Sequence, residues 1–220
     1  RPDGRNINEA CGSLHPEGLA RKVIETGAAA GIAFDGDADR ALLADERGRV
    51  LTGDHTLFVQ GLAMKESGKL QSASIVATTM SNMALEEALA GAGIRLFRTQ
   101  VGDKYVLDEM KARGANLGGE RSGHTIFLDD LPTGDGILTA LKMLEIMTAR
   151  ERTLSALLAD YSEFPQVLVN VPVGRKTDFG EFPDIGAAVT AARHRLGGHG
   201  RLDLRYSGTE PLARIMVEGK

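Results

Sequence analysis

Cysteine is almost missing from this 220-residue chain, Cys11 being the only one. An internal disulfide is therefore excluded, and the composition fits a reducing compartment such as the cytoplasm. A single cysteine is more often a small packing residue than a nucleophile. Long apolar runs are missing too, since none approaches the ~20 residues of a membrane-spanning helix, so no membrane partner is expected. There is no excess of positive charge: 26 Lys and Arg stand against 30 Asp and Glu, a net of −4. That removes a general polyanion-binding surface and any case for a nucleic-acid partner. The opening Arg-Pro-Asp-Gly-Arg is neither an initiator methionine nor a signal peptide, so the chain is expected to start inside a longer protein.

What is present reads as an ordinary globular protein, with 42% hydrophobic and 25% charged residues and enough length for a sizeable core. The hydrophobic pattern predicts a helix from Glu17, carrying Leu19, Val23 and Ile24. Strands at 31–34 and 41–44 follow, then a turn at 46–49 and Val50-Leu51. Gly53-Asp54 reads as a boundary. Beyond it, helices (56–65, 82–90, 103–113, 136–149) alternate with strands (74–78, 94–98, 115–118, 125–128). Such alternation predicts an α/β domain, a mixed or mostly parallel sheet with helices on its faces, whose ligands bind beyond the carboxyl ends of the strands. A short helix at 154–161 ends near Phe164-Pro165. Strands at 167–173, 201–206 and 214–218 with a helix at 185–196 then predict a small α+β C-terminal domain. From residue 165 on, eight Lys and Arg face six Asp and Glu, a net of +2 that favours the tail as the place where an anion lands.

Three loops carry the chemistry. Residues 31–40 read G-I-A-F-D-G-D-A-D-R. In an extended chain Asp35, Asp37 and Asp39 project to one side, where their charges repel unless a divalent cation intervenes. Oxygen ligands alone favour Mg²⁺, Ca²⁺ or Mn²⁺, and Mg²⁺ leaves positions open for phosphate oxygens. Two other readings stand beside this one. An EF-hand would use Asp35, Asp37, Asp39 and Glu46 at its positions 1, 3, 5 and 12, but Arg40 occupies the glycine position and strands replace the flanking helices. A plain solvated acidic turn is the other.

Residues 118–124, G-G-E-R-S-G-H, place a carboxylate, a hydroxyl and an imidazole on a flexible loop. Glu120 can accept two neighbouring sugar hydroxyls and His124 can donate to a phosphate or hydroxyl, although both residues are also common in loops without such a role. Residues 205–211, R-Y-S-G-T-E-P, combine the planar fork of Arg205 with two hydroxyls and a glycine whose backbone N–H can close on an anion. A hairpin turn with polar dressing is the alternative.

In this order, D-G-D-A-D-R, G-E-R-S-G-H and R-Y-S-G-T-E-P resemble the α-D-phosphohexomutase family. N-I-N-E-A-C-G-S-L-H-P-E, T-M-S-N-M-A-L, V-G-D-K-Y-V, T-G-D-G-I-L-T-A-L and S-G-T-E-P-L-A-R-I-M-V-E extend the likeness over nearly the whole chain, towards the bacterial amino-sugar branch. Leu14 and Tyr206 depart from the usual wording without removing a functional side chain.

The resemblance implies a four-domain enzyme that interconverts glucosamine 6-phosphate and glucosamine 1-phosphate for cell-wall precursors; the alternatives are a member acting on glucose or mannose phosphates and a non-catalytic sugar-phosphate binding module. Its implied means are a phosphoserine, Mg²⁺ and a bisphosphorylated sugar intermediate. It implies that Asp35, Asp37 and Asp39 hold the metal and that Arg40 lies beside the phosphoserine. Glu120, Ser122, Gly123 and His124 would meet the sugar, with Asp103 and Lys104 on a facing loop. Arg205, Ser207, Gly208, Thr209 and Arg214 would hold the phosphate that is not reacting. The Thr-Ala-Ser-His-Asn-Pro-like serine loop of the family is not in this sequence. The implied division is therefore the end of domain 2 (1–53), domain 3 (54–163) and domain 4 (164–220). The implied partners are a hexosamine phosphate, the N-terminal half of the same enzyme and a second copy in a homodimer, and this chain alone is expected to be inactive.

Overall fold

The computed structural model describes residues 3–208 and 210–220, which form two compact units. The larger takes Arg1–Ser81 and Leu85–Ser162, the smaller Asn82–Ala84 and Glu163–Lys220.

The larger unit begins with α1 (Glu17–Thr26), closed by Gly27 in the left-handed conformation that suits glycine at a helix end. β1 (Ala30–Phe34), β2 (Ala41–Asp45) and β3 (Val50–Leu51) make an antiparallel sheet in that order. Phe34 pairs with Ala41, so residues 35–40 are the connection of a hairpin, and an EF-hand is excluded by the strands on both sides. α2 (Gly53–Glu66) follows and is buried continuously from Gly53 to Gly61.

The second sheet is built from β4 (Ser74–Thr78), β5 (Arg95–Thr99), β6 (Leu117–Gly119) and β7 (Thr125–Phe127), in the order β5-β4-β6-β7. β4 runs parallel to both neighbours, and β7 runs antiparallel to β6. α3 (Met83–Gly91) and α4 (Asp103–Arg113) connect the parallel strands. A Cβ on Gly118 would point at Met110 and Val106 of α4, and one on Gly119 at Leu57 of α2. Successive residues of a strand face opposite ways, so α4 and α2 cover opposite faces of β6. Val76, Val106, Met110, Ala115 and Ile126 form one of the resulting cores. α5 (Gly136–Arg150) and the short α6 (Leu154–Leu157) complete the unit.

The smaller unit is an antiparallel sheet, β8 (Gln166–Pro172), β9 (Gly200–Tyr206) and β10 (Leu212–Gly219), in the order β8-β10-β9, with α7 (Pro183–Leu196) packed on β9. Its register separates two faces. Ala213, Ile215 and Val217 align with Val171, Val169 and Val167 and with Tyr206, Leu204 and Leu202 on the apolar face. Arg214, Met216 and Glu218 align with Arg205, Asp203 and Arg201 on the polar one.

The architecture is the α/β sheet with helices on its faces and the following small α+β unit that the alternation predicted. β4 and α4 have the predicted ends. The bounds of α2 and α6 differ from the expected ones. α2 starts at Gly53 rather than Thr56, because Thr52 and His55 form a reciprocal cap in which His55 Nδ1 accepts from the Thr52 N–H at 3.1 Å. α6 ends at Leu157, four residues short of Tyr161. Among the described residues no helix is long and apolar enough to cross a membrane.

Candidate active site

The aspartate loop is a tight turn, not the extended run that the alternate spacing suggested. Ala38 takes a left-handed conformation with φ 60°, and the Ala38 N–H donates to the Asp35 carbonyl at 3.3 Å. Folding the loop this way still converges the side chains: one oxygen from each of Asp35, Asp37 and Asp39 lies within 4.8 Å of the others. The Arg40 N–H donates to Asp35 Oδ1 at 3.1 Å, and Arg40 Nε lies 3.7 Å from Asp35 and 3.6 Å from Asp39. Burial disfavours the charged form of both Asp35 and Asp39. For Asp35 this is outweighed by a hydrogen bond with Asp39 and by the Arg40 N–H and guanidinium, which hold its carboxyl below the ordinary value. Asp39, desolvated and facing the Asp35 charge, is pushed up. The donors that the three side chains present are all carboxylate oxygens. That donor set fits a hard divalent cation.

The loop is clamped from two sides. The backbone of Arg40 pairs antiparallel with that of His124, and the Ala41 N–H donates to the Gly123 carbonyl at 3.2 Å. At the start of α5 the Gly136 N–H donates to the Ala38 carbonyl at 2.8 Å. His124 is only 2% exposed, and its Nε2 lies 3.6 Å from Asp39 Oδ2. A Cβ on Gly134 would stand 2.3 Å from that nitrogen, so only glycine lets the chain pass over the imidazole.

Glu120 follows β6 and accepts from the Gly102 N–H at 3.0 Å, which ties the 118–124 loop to the start of α4. Asp103 and Lys104, both exposed, sit on that first turn, and Ser122 is exposed at the tip of the other loop. The larger unit therefore brings together Asp35, Asp37, Asp39, Arg40, Gly123 and His124, with Glu120 joined to the Asp103–Lys104 turn.

In the smaller unit Arg205 and Arg214 are cross-strand partners on the polar face. Ser207 is buried, its Oγ accepts from the Glu210 N–H at 3.2 Å, and its own N–H donates to the Leu212 carbonyl at 2.8 Å. Gly208 faces open space. Thr209 lies outside the described residues.

Sequence reasoning missed several supporting groups. Gly53, read as a boundary, donates its N–H to the Arg121 carbonyl at 2.9 Å. Asp54 is fully buried and holds Arg121 at 2.9 Å. Asp135 caps α5 by accepting from the Leu138 N–H at 2.9 Å. Lys176 donates to the carbonyls of Ser207 and Gly208. The Gly-Asp-Gly at 134–136 before an apolar periodic run is a cap signal that could have exposed Asp135; nothing local marks Asp54 or Lys176.

A parallel α/β layer with polar loops at its strand ends, followed by a small sheet bearing paired arginines, is the arrangement of a known family. Residues 52–164 match phosphoglucomutase/phosphomannomutase alpha/beta/alpha domain III, and residues 168–220 match the C-terminal domain of the same family. The chain belongs to the phosphoglucomutase/phosphomannomutase family. It is 54% identical over 219 residues to the phosphoglucosamine mutase of Solidesulfovibrio magneticus, covering 100% of this chain and 49% of that protein. With that of Moorella thermoacetica it shares 51% over 218 residues, 99% of this chain and 49% of the relative. The chain spans about half the length of the curated relatives it matches. Among solved structures, Aspergillus fumigatus N-acetylphosphoglucosamine mutase in complex with GlcNAc-6P and magnesium superposes with a TM-score of 0.77 at 21% identity, over 100% of this chain and 54% of that one. A Burkholderia thailandensis phosphoglucomutase/phosphomannomutase family protein gives 0.75 at 24%, over 94% and 46%. At those identities the structural likeness speaks for the fold alone.

Proposed function

We propose that this chain is the metal-, sugar- and phosphate-binding part of a phosphoglucosamine mutase, which interconverts glucosamine 6-phosphate and glucosamine 1-phosphate. The observation that carries the reading is the three-aspartate turn clamped between Arg40 and His124, in a chain about half identical over its full length to proteins of that name. Asp35, Asp37 and Asp39 hold a magnesium ion, which when bound neutralises charge gathering on a transferring phosphoryl group. Arg40 adds a fixed positive charge beside it. Glu120 accepts two sugar hydroxyls while the Gly102 N–H keeps its carboxylate oriented, and His124 donates from a dry position that holds its ring still. Ser122 and Gly123 shape the loop, and Asp103 and Lys104 meet the sugar from the start of α4. Arg205 and Arg214 supply planar donors to the phosphate that is not reacting, with Ser207, Gly208 and Thr209 closing the loop around it.

The chain is divided on this reading into the end of a second domain (1–53), a third (54–163) and a fourth (164–220). Phosphoryl transfer also needs a serine that carries the phosphoryl group in line with a sugar hydroxyl. On this reading that serine lies outside these 220 residues. The 220 residues alone are expected to bind metal and sugar phosphate without turning over, in the cytoplasm. A chimera tests the reading: this chain replaces the matching half of the Solidesulfovibrio magneticus enzyme, and glucosamine 6-phosphate and glucose 6-phosphate are compared with Mg²⁺. Faster conversion of the amino sugar, lost in Glu120→Ala, is the expected result. A preference for glucose 6-phosphate, or no activity in a folded chimera, overturns it.

A further inference from the structure

In the smaller unit Lys176 stands 31 residues before Ser207 in sequence, yet its Nζ donates to the Ser207 carbonyl at 2.6 Å and to the Gly208 carbonyl at 3.1 Å. Two consecutive carbonyls are thus drawn to one ammonium. A peptide group is planar and trans, so fixing the Ser207 C=O fixes the Gly208 N–H to the opposite direction. The same loop is held at a second point: the Tyr206 hydroxyl donates to the Thr177 carbonyl at 2.7 Å, and the Tyr206 ring stacks on Phe179 with centroids 4.3 Å apart. Residues 206–208, at the start of the turn, are therefore anchored to one segment, residues 176–179. Gly208 itself has no side chain and nothing within 4 Å where a Cβ would lie, so its approach is open.

A loop that binds an anion through backbone N–H groups has to keep its carbonyl oxygens turned away, since each would repel the ligand. A flexible glycine is the residue most able to flip them inward. We propose that Lys176 is a positioning residue for the phosphate loop: by holding the Ser207 and Gly208 carbonyls it keeps the Gly208 N–H presented to a phosphate group. This rests on the reading of residues 205–211 as a phosphate site. Lys176 acts through the peptide planes and not as a ligand, which separates it from Arg205 and Arg214.

The test uses the whole 220-residue chain, with backbone NMR of Gly208 as the readout. In Lys176→Met, the Gly208 amide resonance is expected to shift and its order parameter to fall without any ligand. The affinity for inorganic phosphate is expected to fall roughly tenfold, the order expected when a charge-assisted hydrogen bond is lost. Lys176→Arg restores donors and charge and is expected to recover most of both. An unchanged Gly208 resonance and order parameter in a folded Lys176→Met, or phosphate affinity equal to the parent's, overturns the proposal. So does phosphate affinity that falls with charge alone, seen as full recovery in Lys176→Arg while the Gly208 order parameter stays low. Arg205→Ala identifies a failure of the underlying reading: if it binds phosphate as the parent does, the loop is not the phosphate site and the proposal falls with it.

Discussion

Arg205 and Arg214 stand directly opposite one another across β9 and β10. Like charges in that position destabilise a sheet unless something intervenes. Here Asp203 lies 3.4 Å from Arg205 Nε, and Glu210 pairs with Arg214. Both Nε atoms are buried and make no hydrogen bond to the described residues. Each guanidinium so placed keeps an unused Nε donor, and the neighbouring carboxylates make the cross-strand pair tolerable.

Arg205→Lys is therefore expected to be a damaging change although it keeps the charge, because lysine loses the bidentate fork. One charge-assisted hydrogen bond left unmade costs about 1.5–3 kcal/mol, or roughly ten- to a hundredfold in phosphate affinity. Titration of the chain with inorganic phosphate, followed by NMR, measures it. Equal affinity in parent and variant would show that the guanidinium is not a direct ligand.

At the start of α2 the sign of a glycine substitution is decided by one contact. A Cβ on Gly53 would lie 1.9 Å from the Glu120 carbonyl oxygen, a backbone atom that cannot swing aside. Alanine would gain about 1 kcal/mol in helix propensity. Overpacking against backbone costs about 1–3 kcal/mol or more, and moving Glu120 disturbs the hydrogen bond it accepts from the Gly102 N–H. Gly53→Ala is expected to lower the thermal midpoint by several degrees. An unchanged or higher midpoint in a thermal melt would refute the contact.

The fold was legible because its signals are local and repeated. Apolar spacing placed β4 and α4 end to end, and the alternation of elements set a sheet with helices on its faces. The three loops were legible as residue types, since carboxylates at alternate positions or Arg-x-Ser-Gly-Thr suggest chemistry wherever they fall. Their geometry was not. Alternate spacing suggested an extended run, whereas the aspartates meet through a turn at Ala38. Asp54 and Arg121, and likewise Lys176 and Gly208, are joined across long stretches of sequence by contacts that only the folded chain creates. Burial of Glu218, whose carboxylate takes Arg201, belongs to the same class of pairs hidden from the sequence.

The aspartate turn predicts a graded response to mutation. Asp37 is the most exposed of the three carboxylates and contributes charge without the hydrogen bonds that tie Asp35 to Arg40. Asp37→Ala removes an anionic ligand and is expected to weaken Mg²⁺ binding by roughly tenfold or more. Asp37→Asn keeps an oxygen in place and is expected to lose less. Calorimetric titration of both variants decides it, and unchanged affinity in both would exclude Asp37 from the metal site.

Glu46 gives a prediction on stability that is independent of metal. Its carboxylate accepts from the Ser155 hydroxyl and, at 3.3 Å, from the Ser155 N–H, which joins the β2–β3 turn to α6. Burial opposes ionisation, but the Ser155 hydroxyl, the Thr153 side chain and backbone N–H groups outweigh it and hold the carboxyl below its ordinary value of 4.5. A carboxyl depressed on folding binds fewer protons in the native state than in the unfolded one. Its contribution is complete above the unfolded value and is lost as pH falls through the folded value. Glu46→Gln keeps the shape and an acceptor oxygen but cannot titrate. The parent should be the more stable at neutral pH, and its advantage should shrink on acidification below about pH 5. Thermal melts of both proteins between neutrality and about pH 3 measure the difference; a gap that stays constant over that window would mean that Glu46 gains nothing from its charge in the folded chain.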